Sequence, residues 1–288
     1  MGLLAVRVIL DNAVKSRSGA HMIDRRTLLA VAAAAPLAAC APRVATPRKP
    51  LRVVTFNIWH DAGNWPLRLK LIVDVLRAAD ADVIGLQEVL QDSRKNLPNQ
   101  AETIAAALGG YRVEFMSTSP VGAANRYGNA ILSRLPVVET DTIKLEPLND
   151  YRTALRVRVR SGGRLVDVVN THLAHQADAG PVRAQQINGL LGWLPTDDVP
   201  VVLMGDFNAP LDEAALAPLA IRGLEPALAP GATDTTLVVS RGHKPRVIDH
   251  IFADPRVFET ADARRIADAV DGEFPSDHYG VVATLTPR

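Results

Sequence analysis

Val199-Pro200-Val201-Val202-Leu203-Met204-Gly205-Asp206-Phe207-Asn208 is an apolar run that stops on a carboxylate and an amide. Its length, its β-branched residues and the turn formers around it predict a buried strand over Val199–Met204. The same plan recurs along the chain. Leu51–Ile58 reads as a strand carrying Phe56-Asn57, and Ala81–Val89 as a buried strand carrying Leu86-Gln87-Glu88-Val89. Leu165–His172 runs into Asn170-Thr171-His172-Leu173. Val247–Phe252 contains Ile248-Asp249-His250-Ile251, and Ser276-Asp277-His278 leads into the strand Tyr279–Leu285. Apolar strands with such ends would gather carboxylates, amides and imidazoles at one rim of the sheets.

Between these strands lie helices and hairpins. Asn64 is an N-cap candidate with Pro66 in the first turn, and Leu69, Ile72, Val73, Leu76 and Ala79 form one helical stripe. Ala101–Leu108 reads as a helix closed by Gly109-Gly110, and Ile187, Leu190, Leu191 and Leu194 give another stripe. Further strands are expected at 111–116, 129–133 and 137–145. In Ala154–Arg160, Leu155, Val157 and Val159 alternate with Arg156, Arg158 and Arg160, which reads as a solvated arginine face. Gly162-Gly163 turns that strand into the next one. Hairpin-linked strands mixed with a few helices predict two packed sheets with helices outside.

The first 40 of the 288 residues stand apart. Asp24-Arg25-Arg26-Thr27-Leu28-Leu29 precedes an uncharged run to Ala39, too short for an ordinary membrane span but suited to an export signal. The paired arginines resemble a twin-arginine signal starting at Met22, and Leu37-Ala38-Ala39-Cys40 resembles a lipobox. Residues 1–40 are therefore expected to be an export signal, with Cys40, the only cysteine, as the lipid acceptor. Residues 41–50, with three prolines and three basic residues, are expected to be a tether, and 51–288 a single domain. This predicts a periplasmic or membrane-anchored lipoprotein. Without residues 1–40, the chain's 32 basic and 31 acidic residues become 27 and 29. Such a balance does not favour a domain held on nucleic acid mainly by charge.

Singly, a strand-end Asp is a common turn former and a strand-end His a common structural residue. Together they supply what phosphoryl chemistry needs. Carboxylates and an amide hold a hard cation through oxygen, others position a water, and imidazoles move protons or face a phosphate. Crowded carboxylates repel one another, and a divalent cation or an imidazolium relieves this.

In this order the motifs, with Tyr127-Gly128-Asn129-Ala130-Ile131-Leu132-Ser133, resemble the endonuclease/exonuclease/phosphatase superfamily, the DNase I-like proteins, over about Leu51 to Leu285. The resemblance implies a four-layer α/β sandwich, with two central mixed β-sheets flanked by helices. It implies Glu88, Asn57 and Asp277 at a Mg²⁺ ion, with Mn²⁺ or Ca²⁺ as alternatives. Asp206, supported by Asn208, would orient or deprotonate the attacking water. His278, held by Asp249, would face the scissile phosphate, and His172 would bind a phosphate oxygen or assist the leaving group. The base role stays open between Asp206 and His278. The implied activity is hydrolysis of a phosphodiester or phosphomonoester, with a small or lipid-type ester favoured by the export signal. An extracellular nuclease and a non-catalytic binding module are the alternatives. A nuclease would need a basic groove, for which Arg126, Arg134, Arg152 and Arg156 are candidates.

Other residues have plainer readings. Tyr127 is expected to pack at an edge, Trp65 against its helix start, and Arg126 and Arg152 to be solvated. Trp59 and His60 sit around the first site loop. His175 and His243 read as surface residues, and His250 alternates away from Asp249. Leu224–Pro245 reads as a variable loop. Oligomeric state is not legible.

Overall fold

The computed structural model describes residues 49–288. The export signal, Cys40 and all of the tether but its last two residues lie outside the described residues.

The chain begins with β1 (Leu51–Asn57), α1 (Trp65–Ala79) and β2 (Val83–Asp92), a parallel strand pair joined by a helix. After α2 (Gln100–Leu108) come β3 (Arg112–Ser117), β4 (Asn125–Ser133), β5 (Val137–Lys144), β6 (Thr153–Ser161) and β7 (Arg164–His172). A second parallel unit follows, β7 to β8 (Val201–Asp206) through α3 (Gly180–Trp193). The chain closes with α4 (Ala217–Ile221), the short β9 (Glu225–Pro226), β10 (Asp249–Ala253), β11 (Phe258–Ile266) and β12 (Gly280–Pro287). The strands make two six-stranded sheets, ordered β11-β12-β1-β2-β4-β3 and β5-β6-β7-β8-β10-β9.

Each helix and strand buries what its sequence pattern offers. Asn64 caps α1 by accepting the Leu67 N–H at 3.3 Å, and Ile72 and Leu76 pack with Ala101 and Ile104 of α2 on Val54, Ile84 and Leu86. Ile187 and Leu190 of α3 pack with Leu219 of α4 on Val169 and Leu203 of the other sheet. Between the sheets lie Val53, Val83 and Ile131, facing Leu155, Val168, Val202 and Met204. The layers are thus helix, sheet, sheet, helix, as the resemblance implies. Burying each large aliphatic side chain contributes roughly 1.5–3 kcal/mol, so three apolar layers offset much of the chain's ordering cost.

Near one end the layer between the sheets becomes polar. Gln87 Nε2 donates to Asn170 Oδ1 at 2.6 Å and to Thr55 Oγ1 at 3.0 Å. Asn170 Nδ2 donates in turn to the Leu86 and Ala130 carbonyls, both at 2.9 Å. The sheets approach closely here. A Cβ on Gly85 would lie 2.8 Å from the Met204 methyl and 2.9 Å from the Asn170 side chain, so glycine permits the contact.

Two expectations need correction. Arg156 is buried and Arg158 nearly so, because β5 and β7 place acids beside them. Asp167 lies 3.1 Å from Arg156 and 2.8 Å from Arg158, Glu139 also pairs with Arg156, and Asp197 lies 2.8 Å from Arg158. Only Arg160 of the row is exposed, so the face is ion-paired rather than solvated. β11 was not expected. It is an edge strand whose mostly exposed side chains carry no alternation to read.

Candidate active site

Topology collects the polar strand ends. The carboxyl ends of β1, β2, β7 and β8 point the same way within each parallel pair. β12 and β10 run antiparallel to them, so the starts of those two strands reach the same rim. His172, Asp206 and Asp249 stand side by side in register on β7, β8 and β10.

Glu88 arrives by a different device. β2 pairs regularly with β4 as far as Leu86↔Ala130 and resumes at Val89↔Gly128, so Gln87 and Glu88 oppose one residue. This is a β-bulge, which re-aims the side chain within it. Glu88 sits in the left-handed region at φ 60°, a costly conformation for a non-glycine residue and one that concentrates at functional sites. In a regular strand, Glu88 would follow Leu86 towards the helices rather than the rim.

The site is a connected hydrogen-bond network. Asn57 Nδ2 donates to Glu88 Oε1 at 3.2 Å and to Asp206 Oδ2 at 3.0 Å, while its Oδ1 accepts the Trp59 N–H at 3.0 Å. His278 Nδ1 faces Asp249 Oδ2 at 3.0 Å, and its Nε2 lies 3.8 Å from Asp206 Oδ2. His172 Nε2 lies 3.4 Å from the same oxygen. The Asn208 N–H donates to Asp206 Oδ1 at 2.9 Å, and Asn208 Nδ2 donates to the Leu173 carbonyl at 3.1 Å. Asp277 Oδ2 meets His243 Nε2 at 3.1 Å. Every predicted site residue therefore lies in this network or on the cleft above it.

Burial and crowding shift the acids and bases. Burial, then the charge of Asp249, pushes Asp206 up to about 6, against the pull of His278 and Asn57. Burial opposes charging of His278, but Asp249 and Asp206 outweigh it and raise the ring to about 10. His278 is thus an imidazolium at neutral pH. Burial, and next the nearby Arg152, lowers His172 well below the usual imidazole value, which keeps it neutral. Burial also raises Glu88.

Two groups of donors bear on metal binding. Among the described residues, Asp206, Asp249 and His278 have ligand atoms within 4.8 Å of one another. Their carboxylates already flank the two ring nitrogens of His278. Glu88 differs, because it is a largely buried carboxylate with no cation in ion-pair range among the described residues. With Asp277 it offers carboxylate oxygens, which suit a hard divalent cation, whereas Asn57, expected at the ion, turns its Nδ2 to Glu88 and its Oδ1 to the Trp59 N–H. The residues fit such an ion.

The cleft over the network has a volume of about 830 Å³. Its walls correct several plainer readings. Tyr127 lines it, edge-on to Tyr151 at 5.2 Å and to His60 at 6.4 Å. Arg152 lines it while only 2% exposed, with Nη2 2.9 Å from His175, with Nε 3.7 Å from Asp150 Oδ2, and with Nε and one Nη not hydrogen-bonded among the described residues. His243, with a side chain 35% exposed, also reaches the cleft from the loop before β10, because that loop folds over Asp277. His250 points away, as alternation requires, with Nε2 at the Ala209 carbonyl (2.9 Å) and its ring beside Phe207 and Phe252. Trp65 starts α1 and packs on its apolar cluster. Arg126 lies over Phe115, off the cleft.

One structural residue escaped the sequence reading. Arg68 stands four residues before Ile72 and eight before Leu76, on the buried stripe of α1, and is itself buried. A lone arginine at that spacing was the signal that marked it.

The chain has 27% identity to an endonuclease/exonuclease/phosphatase from Beutenbergia cavernae, over 83% of this chain and 72% of that one, with a TM-score of 0.69. A protein of the same description from Bacteroides vulgatus superposes with a TM-score of 0.71 at 20% identity, over 84% of this chain and 100% of that one. The mannosyl-6-phosphatase Bt3783 of Bacteroides thetaiotaomicron gives a TM-score of 0.64 at 20% identity, over 82% and 99% of the two chains. No curated protein sequence matches the chain. The model of the endonuclease/exonuclease/phosphatase family matches residues 54–278, which runs from β1 to the His278 motif, and the chain belongs to that family of hydrolases.

Proposed function

We propose that the cleft hydrolyses a phosphate ester by in-line attack of water, with a divalent cation, Mg²⁺ by the hardness of the donors, held by Glu88 and Asp277 and with the Asn57 amide orienting Glu88. The observation that carries this is the buried Asp249–His278–Asp206 relay beside Glu88, which accepts from the Asn57 amide and has no ion-pair partner among the described residues. When bound, the cation supplies positive charge to the phosphoryl oxygens.

The protein's own groups do the rest. Asp206, poised at about 6, accepts the proton of the attacking water, and the Asn208 N–H fixes its other oxygen. His278 is already protonated, so it serves as a charge and donor for a phosphate oxygen, with Asp249 holding the ring. This favours Asp206 as the base. His172 contacts a phosphate oxygen or the leaving group. Arg152 N–H groups that are not hydrogen-bonded among the described residues donate to another anionic oxygen of the substrate.

A small or lipid-type ester is the favoured substrate. The cleft volume suits a small molecule. Of the arginines considered for a nucleic-acid track, only Arg152 lines the cleft. Arg134 pairs with Asp80 at 2.6 Å and Arg156 is engaged by Asp167. Arg152, Lys95 and Arg246 on the cleft walls support the nuclease alternative. Export and attachment to the cell envelope through a lipidated Cys40 rest on the sequence motifs alone.

The test is hydrolysis of an aryl phosphodiester, a sugar phosphate, sphingomyelin vesicles and plasmid DNA, with Mg²⁺ or with EDTA. Metal-dependent cleavage of a small or lipid ester above DNA supports the reading. Preference for DNA turns it to the nuclease, and no cleavage by metal-loaded, folded protein overturns it.

A further inference from the structure

We propose that Arg68 is a positioning residue, which sets the amide of Asn57 and locks the loop after β1 to the loop before β12. The inference rests on the proposed metal position at Glu88, which the Asn57 amide orients, and Asp277, but its geometry stands apart from the substrate.

Arg68 is 2% exposed and makes no ion pair with a carboxylate among the described residues. A guanidinium has five N–H donors. Here each has a carbonyl. Nε donates to Ala62 at 2.9 Å, Nη1 to Ile58 at 2.7 Å and Pro275 at 3.0 Å, and Nη2 to Trp59 at 3.1 Å and His60 at 2.7 Å. The rings of Trp59 and Trp65 lie 5.1 and 5.5 Å from the guanidinium carbon. An apolar residue on this stripe of α1 would serve the core without burying a charge, so packing alone does not account for an arginine.

Its acceptors explain it. Trp59 and His60 are consecutive non-glycine residues in the left-handed region, at φ 56° and 33°. Such a pair persists only where its surroundings over-determine it. Arg68 does this by holding both carbonyls. The bend turns the Trp59 N–H onto Asn57 Oδ1 at 3.0 Å, which leaves Nδ2 for Glu88 and Asp206. With the amide reversed, its oxygen would face two carboxylates. Through Pro275, the same guanidinium holds the start of Ser276-Asp277-His278. Ser276 Oγ then donates to the Asn57 carbonyl at 2.7 Å and accepts the His278 N–H at 3.2 Å. One buried cation thus ties the residues on both sides of the proposed metal position.

The test uses the full chain with Arg68→Ala and Arg68→Lys. Thermal melting follows folding, calorimetry follows Mn²⁺ binding, and kinetics separate kcat from KM. Loss of an orienting residue behind metal ligands costs roughly 10- to 100-fold in affinity or rate. Folded Arg68→Ala should lose Mn²⁺ affinity and kcat on that scale, with KM within about threefold. Millimolar guanidinium should restore part of both in Arg68→Ala and in neither Asp206→Asn nor wild type. If Arg68→Ala does not fold, Arg68→Lys decides, since an ammonium has three donors for five carbonyls. It should melt near wild type yet lose kcat and Mn²⁺ affinity. Wild-type Mn²⁺ affinity in a folded variant would overturn the proposal. If wild type cleaves no phosphate ester but the variants still bind Mn²⁺ more weakly, the functional reading fails and the positioning role stands.

Discussion

Asn57 bridges the two sheets, because its single amide nitrogen lies 3.2 Å from Glu88 of the first sheet and 3.0 Å from Asp206 of the second. Neither contact is available to a carboxylate at this position. Asn57→Asp is expected to keep the fold and to lower kcat by about 10²–10³, the scale of losing one preorganised donor. Steady-state kinetics beside circular dichroism would check it, and activity within a few-fold of wild type would contradict it.

The protonation states predict a pH profile. Asp206 works as a carboxylate and is raised to about 6, so kcat/KM should fall as pH drops through that region. His278 works as an imidazolium and is raised to about 10, so activity should hold through neutral pH and decline only in the alkaline range. An optimum below pH 5 would reverse the assignment of base and acid.

Stability has its own pH dependence at His250. Burial lowers this ring to about 4, against the ordinary 6.5 of an unfolded chain. Between those values the unfolded state binds the extra proton, so stability is complete above about pH 6.5 and is lost as pH falls towards 4. The loss is on the order of 3 kcal/mol. His250→Phe, placed between Phe207 and Phe252, should flatten this part of the curve in denaturant titrations at pH 7 and 4.5.

Arg152 should act on binding. Its buried guanidinium faces the cleft with two nitrogens that are hydrogen-bonded to no described protein atom. Arg152→Met is expected to raise KM about tenfold or more, as loss of a charge-assisted hydrogen bond would, with a smaller change in kcat. A fall in kcat alone would place the arginine at the transition state instead.

The site was legible where side-chain chemistry follows directly from strand period. Asn57, His172, Asp206, Asp249 and the Asp277-His278 pair each border a short apolar run, so a sheet rim was their natural place. Glu88 was legible as a strand-end acid, but the bulge that aims it depends on pairing with β4. The burial of Arg152 and the reach of the partly exposed His243 into the cleft were not legible, because loops decide both and no periodicity in the chain records how a loop folds back. The row Arg156, Arg158 and Arg160 alternated as a solvated face would. Its acids come from Glu139 and Asp167 on the two neighbouring strands and from Asp197 after α3, and pairing alone decides which of them meet the row.

The most direct test of the account is turnover of a cleavable phosphate ester by wild type and Asp206→Asn, with Mg²⁺ in ¹⁸O-labelled water. The account predicts metal-dependent turnover with the label in the phosphate-bearing product, and a fall of at least about 10² in the folded variant. Label in the alcohol product, or equal turnover by Asp206→Asn, would contradict it.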